Sequence, residues 1–248
     1  MNVKKVFISG SISIKKLENV VLKNLDEIIS KKYSICIGDA PGFDSLVQDY
    51  LKQNSFFDVT VYTISFLPRY KSSNNFAVKY IDVPCEIKKE RERQTMKDKV
   101  MSEDSEFSFV VWNGKSKGSY ANILRAIESK KYIKVYYTEK SQFLRTTKQE
   151  IDFVFRFHNG YSASEVVDYF LEAGNDFFKK TQDLNKYLLE KDVLKKDGKL
   201  YIPSEKFKHL MIVEYYQGKQ TSIKFKNELI DWLEQSISKA NIQGNLFG

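Results

Sequence analysis

The sequence predicts an α/β fold, a parallel β-sheet with helices on both faces, followed by a smaller α+β domain. Short apolar segments alternate with amphipathic stretches of helical length up to about residue 137, which is the pattern of βαβ units. Three of the predicted strands run into glycine-containing turns, where a strand hands over to a helix. After Thr138 the alternation ends, and helices followed by short strands take its place. We therefore expect two domains, at 1–140 and 150–248.

The N-terminal domain has five predicted strands separated by amphipathic helices. The strands are VKKVFISG, YSICIG, DVTVYTI, SEFSFVVW and YIKVYYT, and the helices include KLENVVLKNLDEIISKK, FDSLVQDYLKQN and YANILRAIESKK. Apolar residues recur three and four positions apart in each helix. Between Pro68 and Asp104 a polar stretch and a charged helix interrupt the pattern. We expect that helix on the surface, or else with Arg91, Arg93 or Lys97 reaching over the end of the sheet.

The C-terminal domain is predicted to begin with two helices, SASEVVDYFLEAG and KKTQDLNKYLLEKDVL. Ser162 or Ser164 is the expected cap of the first. A hairpin follows at Asp197-Gly198, then a strand at HLMIVEYYQGK and a last helix at FKNELIDWLEQSISK. Two helices followed by a small β-wing outline a winged-helix-like domain. The stretch EKSQFLRTTKQE before this domain is expected to be a linker.

Composition narrows the class of protein. The chain has 248 residues, of which 42% are hydrophobic and 29% charged, and a net charge of +8, which is ordinary for a globular protein and favours anionic partners. No apolar run is long enough to span a membrane, so we expect a cytoplasmic protein without membrane contact. The two cysteines and two histidines have no metal-binding spacing. We expect a buried free thiol at Cys36, no metal site and no cofactor.

The glycine-containing turns predict a ligand site. Parallel strands present their carboxyl ends at one edge of the sheet, so the turns FISGSIS, GDAPGFD and WNGKSKGS are expected to meet there. A glycine lets the main chain approach a ligand closely, and the N–H groups at a helix start suit a phosphate or carboxylate. Lys115 and Lys117 stand nearby for anionic groups. The alternative is a set of ordinary capped helices, with Asp44 satisfying one helix dipole.

The same three motifs, GSIS, GDAPGFD and GKSKGS, resemble those of the SLOG superfamily of Rossmann-like proteins, which includes the DprA, Lonely Guy and YspA-type families. The similarity covers about residues 3–137, and the segment SKGSYANILRAIESKKYIKVYY is most similar to the YspA type. The resemblance implies a nucleotide or nucleotide-derived ligand. With the lysine of the third turn, the implied site comprises Ser9, Gly10, Ser11, Gly38, Asp39, Gly42, Asp44, Lys115, Gly118 and Ser119.

Whether the ligand is turned over stays open. Lonely Guy enzymes have a glutamate just after their third motif, where this chain has Tyr120-Ala121-Asn122. Without that carboxylate the acid or base role has no obvious owner, and we favour binding without turnover. The alternatives are a nucleoside or nucleotide N-glycosidic hydrolase or transferase, with Asp39 and Asp44 as catalytic candidates, and a DprA-like DNA-binding protein.

The C-terminal third suggests further partners. KTQDLNKYLLEKDVLKKDGKLYIPSEKF is loosely similar to the KilA-C-type domain of phage antirepressors. That similarity implies DNA contact in a phage, mobile-element or DNA-processing setting. Gln243, Leu246 and Phe247 resemble the peptide by which bacterial proteins dock on the sliding clamp. The alternative, which we favour, is an ordinary tail whose Leu and Phe pack on their own domain. A homodimer is also left open.

Overall fold

The computed structural model describes residues 4–246, with side chains described as far as 238. The chain forms two compact units, Met1–Asp152 and Phe153–Gly248. Among the described residues, no helix combines the length and the apolar character needed to cross a bilayer.

The first unit is a Rossmann-like α/β domain, which confirms the predicted fold class. Its elements are β1 (Lys5–Gly10), α1 (Asn19–Ser30), β2 (Ser34–Gly38), α2 (Phe43–Gln53), β3 (Val59–Thr63), β4 (Ala77–Tyr80), α3 (Glu90–Glu103), β5 (Phe107–Trp112), α4 (Lys117–Glu128), β6 (Tyr132–Tyr137) and β7 (Gln142–Phe143). Helix α5 (Lys148–Asn159) runs from this unit into the next.

The seven strands form one sheet in the order β4-β3-β2-β1-β5-β6-β7. All neighbouring strands are parallel except β6 and β7. Strand order therefore reverses at β1, which pairs with β2 on one side and β5 on the other. In sheets of this kind the ligand crevice lies outside the carboxyl ends of the strands at such a reversal.

Both faces of the sheet are covered by apolar side chains, which explains why the helices form where they do. In α2, Phe43, Val47 and Leu51 are four residues apart and fully buried against β1 and its neighbours. On the opposite face, Met101 of α3 packs with Phe7 of β1. Because successive side chains of a strand point to opposite faces of the sheet, Ser9 lies on the same face of β1 as Phe7, beneath α3 and α4.

Three elements of this part of the chain were not predicted. Strand β4 was expected to be a polar loop, and β7 and the start of α5 lie where a linker was expected. All four residues of β4 are exposed, so the strand lacks the apolar alternation by which strands are recognised.

The second unit has helices and two antiparallel hairpins around its own apolar core. Its elements are α6 (Ala163–Glu172), α7 (Thr181–Glu190), β8 (Leu194–Asp197), β9 (Leu200–Pro203), a 3₁₀ turn (Lys208–Leu210), β10 (Met211–Tyr216), β11 (Lys219–Phe225) and α8 (Asn227–Leu246). Ser162 caps α6, with Glu165 completing a capping box. The predicted first hairpin is present, but Asp197 pairs with Leu200, so its turn lies one residue later than expected.

The second hairpin was missed. Strand β10 was predicted to run on through Lys219, and β11 was not predicted at all. The chain instead turns at Gln217 and Gly218, both with positive φ (50° and 76°), as a tight hairpin turn requires. Strand β11 then pairs with β10 from Lys219 to Phe225.

Candidate functional site

A cavity of about 310 Å³ opens at the reversal of strand order, at the carboxyl edge of the sheet. Its wall includes Ser9 and Gly10 from the end of β1, Gly38 from the end of β2, side chains of α3, and the start of α4. This volume lies at the low end of the range for small-molecule sites, roughly 300–1,000 Å³. The edge where the turns were expected to meet therefore contains a space of ligand size.

Six of the ten site residues expected from the sequence line this cavity. They are Ser9, Gly10, Gly38, Asp44, Gly118 and Ser119. The structure does not bring Ser11, Asp39, Gly42 and Lys115 to its wall. The Ser11 hydroxyl donates to Asn113 Oδ1 at 3.0 Å, and the exposed Lys115 pairs with Glu139 at 2.7 Å.

The structure gives different reasons for a glycine at three positions in these turns. Gly42 has φ +89°, and a Cβ there would lie 2.1 Å from the Ile12 carbonyl oxygen. A Cβ on Gly38 would lie 2.5 Å from Asp44 Oδ2. Gly118 is crowded by nothing within 4 Å and lines the cavity. The fold itself requires Gly42, Gly38 leaves room for the Asp44 carboxyl, and Gly118 keeps the start of α4 open toward the cavity.

Asp39 is a buried anchor between two cations. Its Oδ1 lies 2.7 Å from Arg69 Nη2 and 3.1 Å from Lys97 Nζ, and its side chain is 1% exposed. Burial favours the neutral carboxyl, but the Arg69 hydrogen bonds and the Lys97 charge outweigh it and hold the Asp39 pKa well below its ordinary value. Asp39 therefore stays ionised, which suits an anchor and not a group that exchanges protons near neutral pH.

Asp44, in the first turn of α2, has the opposite electrostatic environment. Burial and the neighbouring Asp98 raise the pKa of Asp44 to about 7, against the opposing charge of Lys97. Burial also raises the pKa of Asp98, which Lys97 and a hydrogen bond with Asn122 oppose. Both carboxyls line the cavity, so it contains one acid, Asp44, that exchanges protons near neutral pH and a second, Asp98, whose pKa is raised.

Five cationic side chains also line the cavity. They are Arg69, Arg91, Lys97, Lys117 and Arg125. Arg69 and Lys97 are committed to Asp39, while Arg91 and Lys117 are exposed. Opposite charges are thus arranged around one space.

The Ser9 hydroxyl is the least satisfied group of the cavity. Ser9 is 8% exposed, and its Oγ is buried without a hydrogen-bond partner among the described residues. Buried hydroxyls in folded proteins are nearly always hydrogen-bonded. An orphan hydroxyl in the wall of a polar cavity is therefore a group that a ligand can satisfy.

The contribution of α3 is the main feature that the leading sequence interpretation missed. Arg91 and Lys97 line the cavity, together with Gln94, Thr95, Asp98 and Met101. Arg93 is not in the wall, and its Nε lies 3.9 Å from Glu90. Lys97 is 3% exposed, so α3 is not a merely solvated helix. The signal was the spacing of Lys97 and Met101, which places them on one helix face.

A second cavity, of about 270 Å³, lies beside α1 at β5 and β6. Its wall includes Tyr33, Phe107 and Tyr132. None of the site residues expected from the sequence lies there, so the polar cavity is the candidate site.

The fold and cavity define a Rossmann-like α/β protein with a small polar site at the reversal of strand order. No protein-family model matches the chain, and no curated protein matches it. Among solved structures it is similar to DNA processing protein A from Helicobacter pylori, described for its single-stranded DNA binding mode. The identity is 15%, the TM-score 0.38, and the match covers 76% of this chain and 81% of that one. A likeness this weak carries no argument about function.

Proposed function

We propose that the cavity of the first unit binds a nucleotide or nucleotide-derived ligand through its phosphate. The observation that carries the proposal is the polar cavity at the reversal of strand order, lined by backbone-exposing Gly118 and by cations. Sites at this position in open α/β sheets bind ligands beyond the carboxyl ends of the strands. A volume of about 310 Å³ favours a mononucleotide over a dinucleotide.

The phosphate belongs at the start of α4. Ser116 caps this helix by accepting from the Ser119 N–H at 3.3 Å. Lys117 and Gly118, the first two residues of α4, are exposed and line the cavity. The first N–H groups of a helix and its partial positive charge attract a phosphate, and Lys117 and Arg91 add full charges. The SLOG resemblance supports a ligand site at Ser9, Gly10, Gly38, Asp44, Gly118 and Ser119.

Two neighbouring lysines provide a matched test. Lys117 lines the cavity, whereas Lys115, two residues earlier, does not. Calorimetric titration with nucleoside 5′-monophosphates should detect binding to the unmodified protein. We expect Lys117→Glu to weaken it at least about tenfold, because a charge pair becomes a repulsion, and Lys115→Glu to weaken it less than about threefold. Absence of binding to the unmodified protein, or equal effects of both changes, would refute the proposal.

N-glycosidic hydrolysis or transfer is a second candidate function. The specific observation in its favour is Asp44, whose pKa is raised to about 7 inside the cavity. A general acid or base works best with a pKa near the working pH. Asp39 is less suited, since its charge is held by Arg69 and Lys97. Incubation with nucleoside monophosphates should then release free base, and Asp44→Asn should abolish the release. Ligand binding without release of free base would exclude this second function and support binding without turnover.

DNA binding in the manner of the DprA family is a third candidate, and the charge distribution favours the first unit. That unit has 26 Lys and Arg against 19 Asp and Glu, a net charge of +7, and the second has 14 against 13, a net charge of +1. Binding of a single-stranded oligonucleotide should then weaken steeply with salt. Salt-independent binding, or none, would exclude this candidate.

The remaining partners are proposals about the second unit. Helices α6 and α7 followed by the β8–β9 hairpin support a winged-helix-like domain, with Lys195, Lys196 and Lys199 as phosphate contacts in a phage, mobile-element or DNA-processing setting. A sliding clamp is the proposed partner of Gln243, Leu246 and Phe247. The structure does not describe Phe247 or the side chains of Gln243 and Leu246. We also propose that the protein is cytoplasmic and forms a homodimer.

A further inference from the structure

We propose that Ser9, Asp44 and Asp98 bind the sugar hydroxyls of the ligand, and that the cavity therefore takes ribonucleotides in preference to 2′-deoxyribonucleotides. This inference rests on the proposed nucleotide site and names the chemical class of its ligand. Phosphate contacts at α4 do not distinguish the two classes, because both carry the same phosphate. The discrimination comes from the hydrogen-bonding groups deeper in the cavity.

Ser9 is the central residue of this set. Its hydroxyl lies in the cavity wall and has no partner among the described residues. A hydrogen-bonding group left buried and unpaired destabilises the folded chain, and an alanine would avoid that cost. Gly10 follows it on the other face of β1, where a Cβ would lie 2.4 Å from the Phe43 ring. Ser9 therefore lies on the face of the sheet that α3 and α4 cover, which is the side of the cavity.

Asp44 is held in place by the main chain around it. Its Oδ2 lies so close to Gly38 that a Cβ there would be 2.5 Å away. The Ala40 N–H donates to the same oxygen at 3.4 Å, a long bond that leaves acceptor capacity unused. Gly38 thus makes room for a carboxyl that faces the cavity. This placement is independent of the Ser9 observation.

Asp98 completes the set from α3. It lines the cavity with Asn122 of α4, which opposes the rise of the Asp98 pKa caused by burial. Two carboxyls and a hydroxyl offer both acceptors and a donor, which matches adjacent sugar hydroxyls. A site built to hydrogen-bond a substrate hydroxyl rejects the analogue that lacks it, because its own polar groups are then left unpaired.

The test is calorimetric titration of the full chain with the four ribonucleoside 5′-monophosphates and their 2′-deoxy counterparts. We expect the ribonucleotides to bind at least about tenfold more tightly. Ser9→Ala should reduce this preference about fivefold or more, and should raise the Tm of the free protein by about 2–4 °C because an unpaired buried hydroxyl is removed.

Ser108→Ala is the matched control. Ser108 is also buried without a partner among the described residues. It lies on the neighbouring strand β5, in the wall of the second cavity and not in that of the polar cavity. The control should raise the Tm similarly and leave ligand affinity unchanged. Equal binding of ribo- and deoxyribonucleotides, or an unchanged preference in Ser9→Ala, would overturn this inference while the nucleotide site stands. Failure of all eight ligands to bind would overturn both.

Discussion

The two units differ most in where they keep their polar groups. Among side chains described between residues 4 and 238, eleven buried polar or charged residues lie in the first unit and one, Ser204, in the second. The first unit also has nearly all of the net charge, +7 against +1. Burying polar groups opposes folding unless they are paired. Four of the eleven, Ser9, Lys97, Ser119 and Asn122, line the polar cavity, whereas the described core of the second unit is built from apolar side chains.

The chain contains its own reporters for this comparison. Its two tryptophans are Trp112, buried in the first unit, and Trp232, partly buried in the second. A Trp232→Phe variant therefore reports unfolding of the first unit by fluorescence, and Trp112→Phe reports unfolding of the second.

The largest effect is expected from Asp39→Asn. The substitution removes the charge that compensates buried Lys97, and breaking a buried ion pair from one side costs about 3–5 kcal/mol. Denaturant unfolding followed through Trp112 should show this loss. In the second unit, Glu165→Gln breaks the half-exposed pair with Arg156 and should cost about 1 kcal/mol or less. Similar losses in both units would contradict the comparison.

The next effect is expected from Gly42→Ala in the first unit. A Cβ would meet the Ile12 carbonyl at 2.1 Å in addition to the positive φ of 89°. Together they should lower the free energy of unfolding by at least about 2 kcal/mol. Gly174 in the second unit also has positive φ, 75°, but nothing within 4 Å. Gly174→Ala should cost only about 1 kcal/mol, and a cost equal to that of Gly42→Ala would show that Ile12 yields freely.

A smaller effect is expected from pH. The pKa of Asp44 is about 7 in the folded chain, above the ordinary carboxyl value of about 3.9, so the folded state binds the extra proton. Stability of the first unit should fall as pH rises from about 5 to 7, by on the order of 1 kcal/mol per pH unit. Asp44→Asn should reduce that slope.

The second unit provides the contrast in pH dependence. The pKa of Glu165 is lowered to about 2, as hydrogen bonds with Ser162 and Arg156 outweigh its burial. Its contribution is complete above the ordinary carboxyl range and disappears as pH falls through about 4 to 2. Unfolding followed through Trp232 should therefore vary little between pH 5 and 7. A slope equal to that of the first unit would argue against Asp44 as its source.

The smallest effect is expected at the tip of the β8–β9 hairpin. Lys195, Lys196 and Lys199 are exposed, so replacing all three by alanine should change stability by less than about 0.5 kcal/mol. If oligonucleotide binding belongs to the first unit, the variant should keep its affinity and salt dependence. A clear loss of either would assign nucleic-acid contact to the second unit instead.

The sequence predicts the elements whose side chains are apolar where the fold buries them, and those that begin or end at glycine-containing turns. Strands β1, β2, β3, β5 and β6 have continuous apolar runs that two covered faces demand. Strand β11 is largely polar, and only its pairing with β10 identifies it. In the site, the glycine turns were visible, but the ion pair between Asp39 and Lys97 spans 58 positions. No local pattern indicates that a lysine in a charged helix is buried by such a partner.

The most direct test of the nucleotide site compares the two reporters with and without ligand. A ligand that binds only the folded first unit stabilises it by mass action, by about 2.7 kcal/mol at a hundred times its Kd. Saturating ribonucleoside 5′-monophosphate should therefore raise the midpoint reported by Trp112 in the Trp232→Phe protein. The midpoint reported by Trp232 in the Trp112→Phe protein should stay the same. No shift, or a shift seen only through Trp232, would contradict the account.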